Sequence, residues 1–224
     1  TTTSYCNISM PYYSYGYAWI TNVSFADMTN TSGMPTQSQQ TYFSNKTANV
    51  TAGQPSTFTM NMASNYGIQY GIAAWIDYNR NNIFEDAERL FMNEAYNNSV
   101  FTTTITIPAN AINGMTRMRV FVDYYYVAGA GSNSCSAVYG YGEVEDYNVN
   151  IVEGVPPVAA FSFTGDPTTT FTDLSTGAPT SWSWNFGDGG TSLLHNPTHT
   201  YATNGTFNAC LTATNALGSN TACH

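Results

Sequence analysis

Carboxylate and amide side chains recur at short intervals between Asp77 and Glu88. Counted from Asp77 as position one, the further candidate oxygen ligands fall at positions three, five, nine, ten and twelve, and an apolar residue stands at position seven. This is the ligand spacing of calcium loops of the EF-hand type, in which position seven contributes only its backbone carbonyl. The predicted calcium ligands are Asp77, Asn79, Asn81, the carbonyl of Ile83, Asp86 and Glu88. Glu85, at position nine, is a further candidate oxygen ligand.

Position six of this segment is Asn82, where such loops usually have glycine. The position requires a left-handed backbone, which asparagine tolerates better than most residues other than glycine. The flanking residues 71–76 and 89–92 have the composition of strands and not of amphipathic helices. We therefore expect a strand–loop–strand calcium site. The alternative is a hairpin turn rich in Asn and Asp that binds no metal.

Charged residues are scarce, at 8% of 224 residues, against about 25% in an ordinary soluble protein. Hydrophobic residues make up 42% and aromatic residues 15%, so the composition is not that of a disordered chain. The formal net charge of −9 makes nucleic acid and anionic membrane surfaces poor partners. We expect no membrane-spanning segment, because no run of about 18 apolar residues occurs.

Alternation of apolar and polar residues dominates the chain as far as residue 152, and no segment keeps a helical period. This pattern predicts an all-β fold, with a jelly-roll-like or Greek-key sandwich over residues 1–152. A glycine and two prolines in residues 153–157 indicate a short extended linker. A second, smaller set of strands is predicted over residues 158–224.

The four cysteines, at positions 6, 135, 210 and 223, include no C-x-x-C pair, and the three histidines are scattered. A zinc site is therefore not expected. An even number of cysteines in an acidic chain rich in Thr and Asn favours an oxidising, extracellular setting. Cys210 and Cys223 lie symmetrically about the centre of a predicted hairpin, so we expect them to face each other across two adjacent strands.

The first segment resembles the GEVED domain, whose name-giving motif is present here as Gly142–Asp146. The resemblance extends from residue 5 to residue 152, and includes Tyr5-Cys6, Trp75–Glu88, Ile107–Gly114 and Thr116–Val120. The family has one cysteine near each end of the domain, which implies a disulfide between Cys6 and Cys135.

The second segment resembles the PKD domain, which implies a small immunoglobulin-like sandwich. The matching residues are Trp184–Gly189, Asn196–Tyr201, Gly205–Phe207 and Leu211–Gly218. The last strand of that family continues further than His224, so we expect this sequence to be a segment of a longer protein. Both resemblances imply a secreted bacterial surface protein, such as an adhesin or a secreted protease, exported by a type IX-like route.

The acidic residues of the GEVED motif have two interpretations. In a strand, Glu143 and Glu145 share one face and Asp146 lies on the other. Glu143 and Asp146 are possible further metal ligands. The alternative is a structural role on a solvated strand face, in which Asp146 bonds to the backbone or pairs with Arg117 or Arg119.

The sequence contains neither H-E-x-x-H nor G-x-S-x-G, and we expect no enzyme activity. Tyr124, Tyr125 and Tyr126 form a cluster of which strand alternation would expose a part, and this part is a candidate contact for glycans or a protein partner. The alternative is core and rim packing. The sequence therefore predicts a non-catalytic structural or adhesive module of a secreted cell-surface protein or extracellular filament. Calcium and disulfides would stabilise it, and its partners would be copies of itself or other surface proteins. The alternative is an accessory glycan- or substrate-binding module of a secreted hydrolase or protease.

Overall fold

The structure, a computed structural model, describes residues 4–8, 18–34, 40–65, 69–96, 99–124, 135 and 142–224. Over these ranges the regular structure is strand, apart from a 3-10 helix at Asp86–Glu88, and the predicted all-β class is confirmed. The chain divides into two compact units, Thr1–Val152 and Glu153–His224. No helix in the described ranges is long and apolar enough to cross a bilayer.

The first unit contains two sheets. Its strands are β1 (Trp19–Phe25), β2 (Met28–Thr31), β3 (Gln40–Thr51), β4 (Pro55–Ala63), β5 (Gln69–Ile76), β6 (Arg89–Tyr96), β7 (Val100–Thr106), β8 (Gly114–Tyr124) and β9 (Glu143–Val152). The orders are β2-β1-β4-β7 and β3-β9-β8-β5-β6. Neighbouring strands are antiparallel except β3 and β9, which run parallel.

The main core of this unit lies between the two sheets. Buried side chains come from both, for example Phe25 and Phe58 from the four-stranded sheet and Ile72 and Val120 from the five-stranded sheet. Strand alternation explains this arrangement, because every second side chain points to the same face. Burial of such side chains stabilises the fold by about 1.5–3 kcal/mol each.

A second, smaller cluster covers the opposite face of the five-stranded sheet. Trp75 and Phe121 project from the sheet, and Ile8 and Phe84 pack on them from outside it. The interior strand β5 is therefore buried on both faces, which explains its nearly continuous apolar sequence. The cluster also fixes the loop after β5, because Phe84 belongs to that loop.

The second unit is a smaller pair of sheets. Its strands are β10 (Phe161–Thr164), β11 (Thr168–Asp173), β12 (Ser181–Asn185), β13 (Thr191–Ser192), β14 (Thr198–Thr200), β15 (Cys210–Asn215) and β16 (Gly218–Cys223). The orders are β10-β11-β14 and β13-β12-β15-β16. Phe161, Phe171, Trp184 and Leu211 form its core, and the rings of Phe161 and Trp184 meet edge to face at 5.1 Å.

Each unit contains one disulfide. Cys6 is bonded to Cys135 in the first unit, and Cys210 to Cys223 in the second. The second bond joins residues that are directly opposite each other in the β15–β16 pair. Both pairings agree with the expectations from the sequence.

Candidate metal centre

The predicted calcium ligands lie in the loop between β5 and β6. Asp77 is the first residue after β5, and its amide donates to the carbonyl of Arg117 at 3.2 Å, which extends the pairing of β5 with β8. The Thr116 hydroxyl donates to the carbonyl of Asp77 at 2.7 Å. Asp77 is fully buried, so the loop starts from a fixed position.

The carboxylate of Asp77 accepts hydrogen bonds from backbone amides of the first half of the loop. Its Oδ1 accepts the amide of Asn81 at 3.1 Å, and its Oδ2 accepts the amide of Asn82 at 3.0 Å. The hydroxyl of Tyr5 also donates to Oδ2, at 2.6 Å. Asn82 has a φ of 64°, the left-handed conformation that its position in the loop requires.

The carboxylate of Glu88 closes the other end of the loop. Its Oε1 accepts the amide of Asn79 at 3.2 Å, and its Oε2 accepts the amide of Glu85 at 3.0 Å. Burial raises the pKa of Glu88, backbone hydrogen bonds oppose this change, and the charge of Asp77 adds to it. The carboxylates from the two ends of the loop are therefore buried and close enough to repel each other.

Amide side chains occupy the space between these ends. Asn79 and Asn81 each donate to Glu85, at 3.1 Å in both cases. The amide oxygen of Asn79 accepts the amide of Asn81 at 3.0 Å, and that of Asn81 accepts the amide of Ile83 at 2.8 Å. The loop thus brings together Asp77, Asn79, Asn81, Glu85 and Glu88.

Asp86 does not join this group. Its side chain is 56% exposed and pairs with Arg89 at 3.5 Å. The physical reason is the 3-10 helix at Asp86–Glu88, which places the carboxylate of Asp86 next to Arg89, three residues later. The residue that meets the loop amides is Glu85, at position nine.

In the described part of the chain, no group of three or more His, Cys, Asp or Glu side chains is arranged to hold a metal ion. A calcium loop differs from such a cluster because it mixes carboxylates with neutral amide and carbonyl oxygens. Among the ion pairs of the described residues, none involves Asp77 or Glu88. The oxygen-rich loop and its two buried carboxylates fit a hard cation, with amide oxygens as further donors.

The carboxylates of the GEVED motif lie on both faces of β9. Glu143 and Glu145 are buried with the main core, where Glu143 Oε2 accepts the amide of Ile20 at 2.9 Å and the Tyr147 hydroxyl donates to Glu145. Burial and, secondarily, the charge of Glu145 raise the pKa of Glu143 to about 8. Gly142 precedes them in close contact with β8, since a Cβ there would lie 1.8 Å from the carbonyl oxygen of Val122.

Asp146 lies on the opposite face and forms a buried ion pair. Arg119 donates from Nε to Oδ1 and from Nη2 to Oδ2, both at 2.8 Å, and Gln40 donates to Oδ2 at 2.6 Å. Arg119 also donates to the carbonyl of Cys6 at 2.9 Å, and its guanidinium lies 4.9 Å from the ring centroid of Phe84. Of the two interpretations of Asp146, the structure therefore shows the ion pair with Arg119.

Three residues that support the loop were not predicted as site residues. Tyr5 donates to Asp77, Thr116 holds the Asp77 backbone, and Arg119 contacts both the N-terminal segment and Phe84. The signal for them was indirect, because they stand in the segments Tyr5-Cys6 and Thr116–Val120 that carry the resemblance to the GEVED domain.

The predicted contact tyrosines are largely outside the described residues. Tyr124 is the last residue of β8, and nothing is described of its side chain. Tyr125 and Tyr126 lie outside the described ranges.

Two successive β-sandwich units, each with a disulfide, are typical of the modules of extracellular proteins. Residues 71–150 match the family model of the GEVED domain, and residues 156–224 match that of the PKD domain. The chain therefore contains a GEVED domain followed by a PKD domain, in the predicted order. Both are non-catalytic module domains.

Similarity to solved structures is distant. The chicken CNTN1 FN1–FN3 domains match with 9% identity and a TM-score of 0.30, over 80% of this chain and 62% of that one. The native conformation of E. coli alpha-2-macroglobulin matches with 9% identity and a TM-score of 0.26, over 79% of this chain and 16% of that one. The chain thus spans less than two thirds of either protein's length. A search of curated proteins finds no match to this sequence.

Proposed function

We propose that the chain is a non-catalytic structural or adhesive part of a secreted bacterial cell-surface protein or extracellular filament, and that residues 77–88 bind a calcium ion. The observation that carries the calcium assignment is the buried pair Asp77 and Glu88 at the two ends of a loop lined with oxygen atoms. Each buried ion carries a desolvation penalty of several kcal/mol, which a divalent cation between the carboxylates would offset.

The calcium ion would be structural in this proposal. Asp77, Asn79, Asn81, the Ile83 carbonyl and Glu88 would hold it, with Glu85 in place of Asp86. The supporting residues fix the loop from separate parts of the chain, because Tyr5 and Thr116 bind Asp77 from outside it. We therefore expect calcium to stabilise the GEVED domain without switching it between two conformations.

The structural or adhesive role is supported by the domain content and the composition. GEVED and PKD domains are non-catalytic modules, and PKD domains are typically involved in protein or carbohydrate interactions. The disulfides fit an extracellular setting. A surface with few charges and many Thr, Asn and Tyr residues suits burial against copies of the same chain or other surface proteins. Export by a type IX-like route remains part of the proposal.

Thermal unfolding with calcium and with EDTA tests the calcium assignment. At a calcium concentration 1,000 times the Kd, binding stabilises a protein by about 4 kcal/mol. In a domain of roughly 150 residues this raises the Tm by about 8–16 °C. Glu88→Gln should abolish most of this shift, whereas Asp86→Asn, which removes an exposed charge from the same loop, should preserve it. An equal Tm with calcium and with EDTA would refute the assignment.

The alternative, a glycan- or substrate-binding module, is favoured by one observation in the PKD domain. A pocket of about 620 Å³ there is lined by the aromatic rings of Phe163, Tyr201 and Phe207, together with Asp166 and Asn204. Aromatic rings combined with a few polar groups are the usual lining of sugar-binding sites. Glycan-array binding that disappears in Phe163→Ala would favour this alternative over the structural role.

A further inference from the structure

A strand at the edge of a sheet has unpaired N–H and C=O groups that can pair with another strand. Natural proteins protect such edges with charges, prolines, bulges or very short strands. In the described part of the first unit, the two sheets end in the four edge strands β2, β7, β3 and β6.

Three of these edges have such protection. β2 is only four residues long. The pairing of β3 with β9 is interrupted between Phe43 and Thr47, where Lys46 lies. β6 contains Arg89 and Glu94, and its pairing with β5 shifts between Ala74 and Trp75.

β7 has none of these features. Its sequence, V-F-T-T-T-I-T, contains no charge, proline or glycine. It pairs with β4 residue for residue over its whole length, without a bulge. Ile105 is buried in the core, whereas Val100, Thr102, Thr104 and Thr106 are exposed. Among the described residues, no strand pairs with the other side of β7, which is a regular edge of seven residues, mostly β-branched.

We propose that β7 pairs antiparallel with β7 of a second copy of this chain, around a twofold axis at Thr103. The same strand serves on both sides of such an interface, so the assembly closes as a dimer. In this register Thr102 of each copy lies opposite Thr104 of the other. The inference rests on the self-association named in the proposed function, and it does not depend on calcium.

The charge of the sheet favours a second copy as the partner. The chain has a net charge of −9, yet no residue in β1, β2, β4 or β7 is charged. Two copies can therefore approach along this sheet without like charges directly opposite each other. A strongly charged peptide strand would find no opposite charge on the sheet.

The outer face of the sheet adds side-chain complementarity. Thr59 and Thr102 are hydrogen-bonded across β4 and β7 at 3.2 Å, and Thr57 lies opposite Thr104. Threonine pairs across neighbouring strands stabilise sheets. In the proposed dimer, Thr102 of each copy pairs with Thr104 of the other. These two pairs continue the rows of threonine hydroxyl groups that cross β4 and β7.

Sedimentation velocity of the full chain over a range of concentrations tests the proposal. The wild type should form a dimer in a concentration-dependent way. The double variant T102K/T104K places lysine directly opposite lysine in both symmetric pairs, and should raise the dimer Kd about thirtyfold or more. The matched control T29K/T31K adds the same charge to the same face at β2, the opposite edge of the sheet, and should change the Kd less than threefold.

Hydrogen exchange at low and high protein concentration identifies the strand involved. Amides of β7 should exchange more slowly at high concentration, whereas those of β2 and β6 should not change. A monomer at all concentrations, a dimer insensitive to T102K/T104K, or new protection at another edge would overturn the proposal. Repeating the sedimentation experiment in EDTA separates dimer formation from calcium binding. If the dimer persists in EDTA and the Tm does not depend on calcium, only the calcium assignment is refuted.

Discussion

Arg119→Met should destabilise the GEVED domain more than any substitution of an exposed arginine. Arg119 is fully buried and makes two hydrogen bonds of 2.8 Å to Asp146. Removal of one partner of a buried ion pair costs about 3–5 kcal/mol, because it leaves the other charge buried without compensation. The same change removes the hydrogen bond of 2.9 Å to the carbonyl of Cys6.

The environment of Asp146 places this estimate near the lower end of the range. Gln40 donates to Asp146 at 2.6 Å, and an Arg117 nitrogen lies 3.8 Å from it, so some compensation remains in the variant. A loss of about 3 kcal/mol in a domain of roughly 150 residues lowers the Tm by about 6–12 °C. Replacing both partners, with Asp146→Leu added to Arg119→Met, should recover part of this loss, because no unpaired charge then stays buried.

Differential scanning calorimetry of the full chain measures this effect, with the transition of the PKD domain as an internal reference. The matched control is Arg89→Met, which breaks a partly exposed ion pair with Asp86 and should cost less than about 1 kcal/mol. Equal Tm shifts in the two variants would refute the assignment of Arg119 as a central support of the domain.

Two further predictions concern pH and the disulfides. Folding raises the pKa of Glu143 from the ordinary 4.5 to about 8. The free energy of unfolding of the GEVED domain should therefore fall as the pH rises from about 4.5 to about 8. Glu143→Gln should flatten this part of a plot of Tm against pH, and an unchanged slope would contradict the assignment. Replacing both Cys6 and Cys135 by serine should cost about 5 kcal/mol in the chain-entropy model, against about 3 kcal/mol for the disulfide of the PKD domain, which closes a much shorter loop. Urea titration measures both losses, and the opposite order would contradict the loop-length argument.

Alternating sequence patterns predict the all-β class of the first unit, but the local signals of β2 and β3 are weak. β2 is four residues long, which is too short for an alternating pattern to stand out. β3 is an edge strand in which only Ala48 and Val50 are buried. Its place next to β9 depends on a parallel pairing between distant segments. Local periodicity carries no information about such a pairing.

The candidate site was predictable where its residues are close in sequence. The ligand spacing identified both ends of the loop, Asp77 and Glu88, and the backbone conformation of Asn82. It did not identify Tyr5, because contact between residues separated by 72 positions is a property of the folded chain. The proposal of Glu85 in place of Asp86 as a ligand rests on a single turn of 3-10 helix, which spacing alone does not indicate.

The alternation of the GEVED motif across β9 makes its alignment with β8 critical. A shift of one residue would exchange the two faces of the strand. Asp146 would then enter the main core, and Arg119 would lie opposite Glu145 or Tyr147. An insertion or deletion of one residue between Gly142 and Asp146 should therefore be far more damaging than any single substitution in the motif. Length variation among related domains should fall outside these five residues, in the loops that lead to the strand.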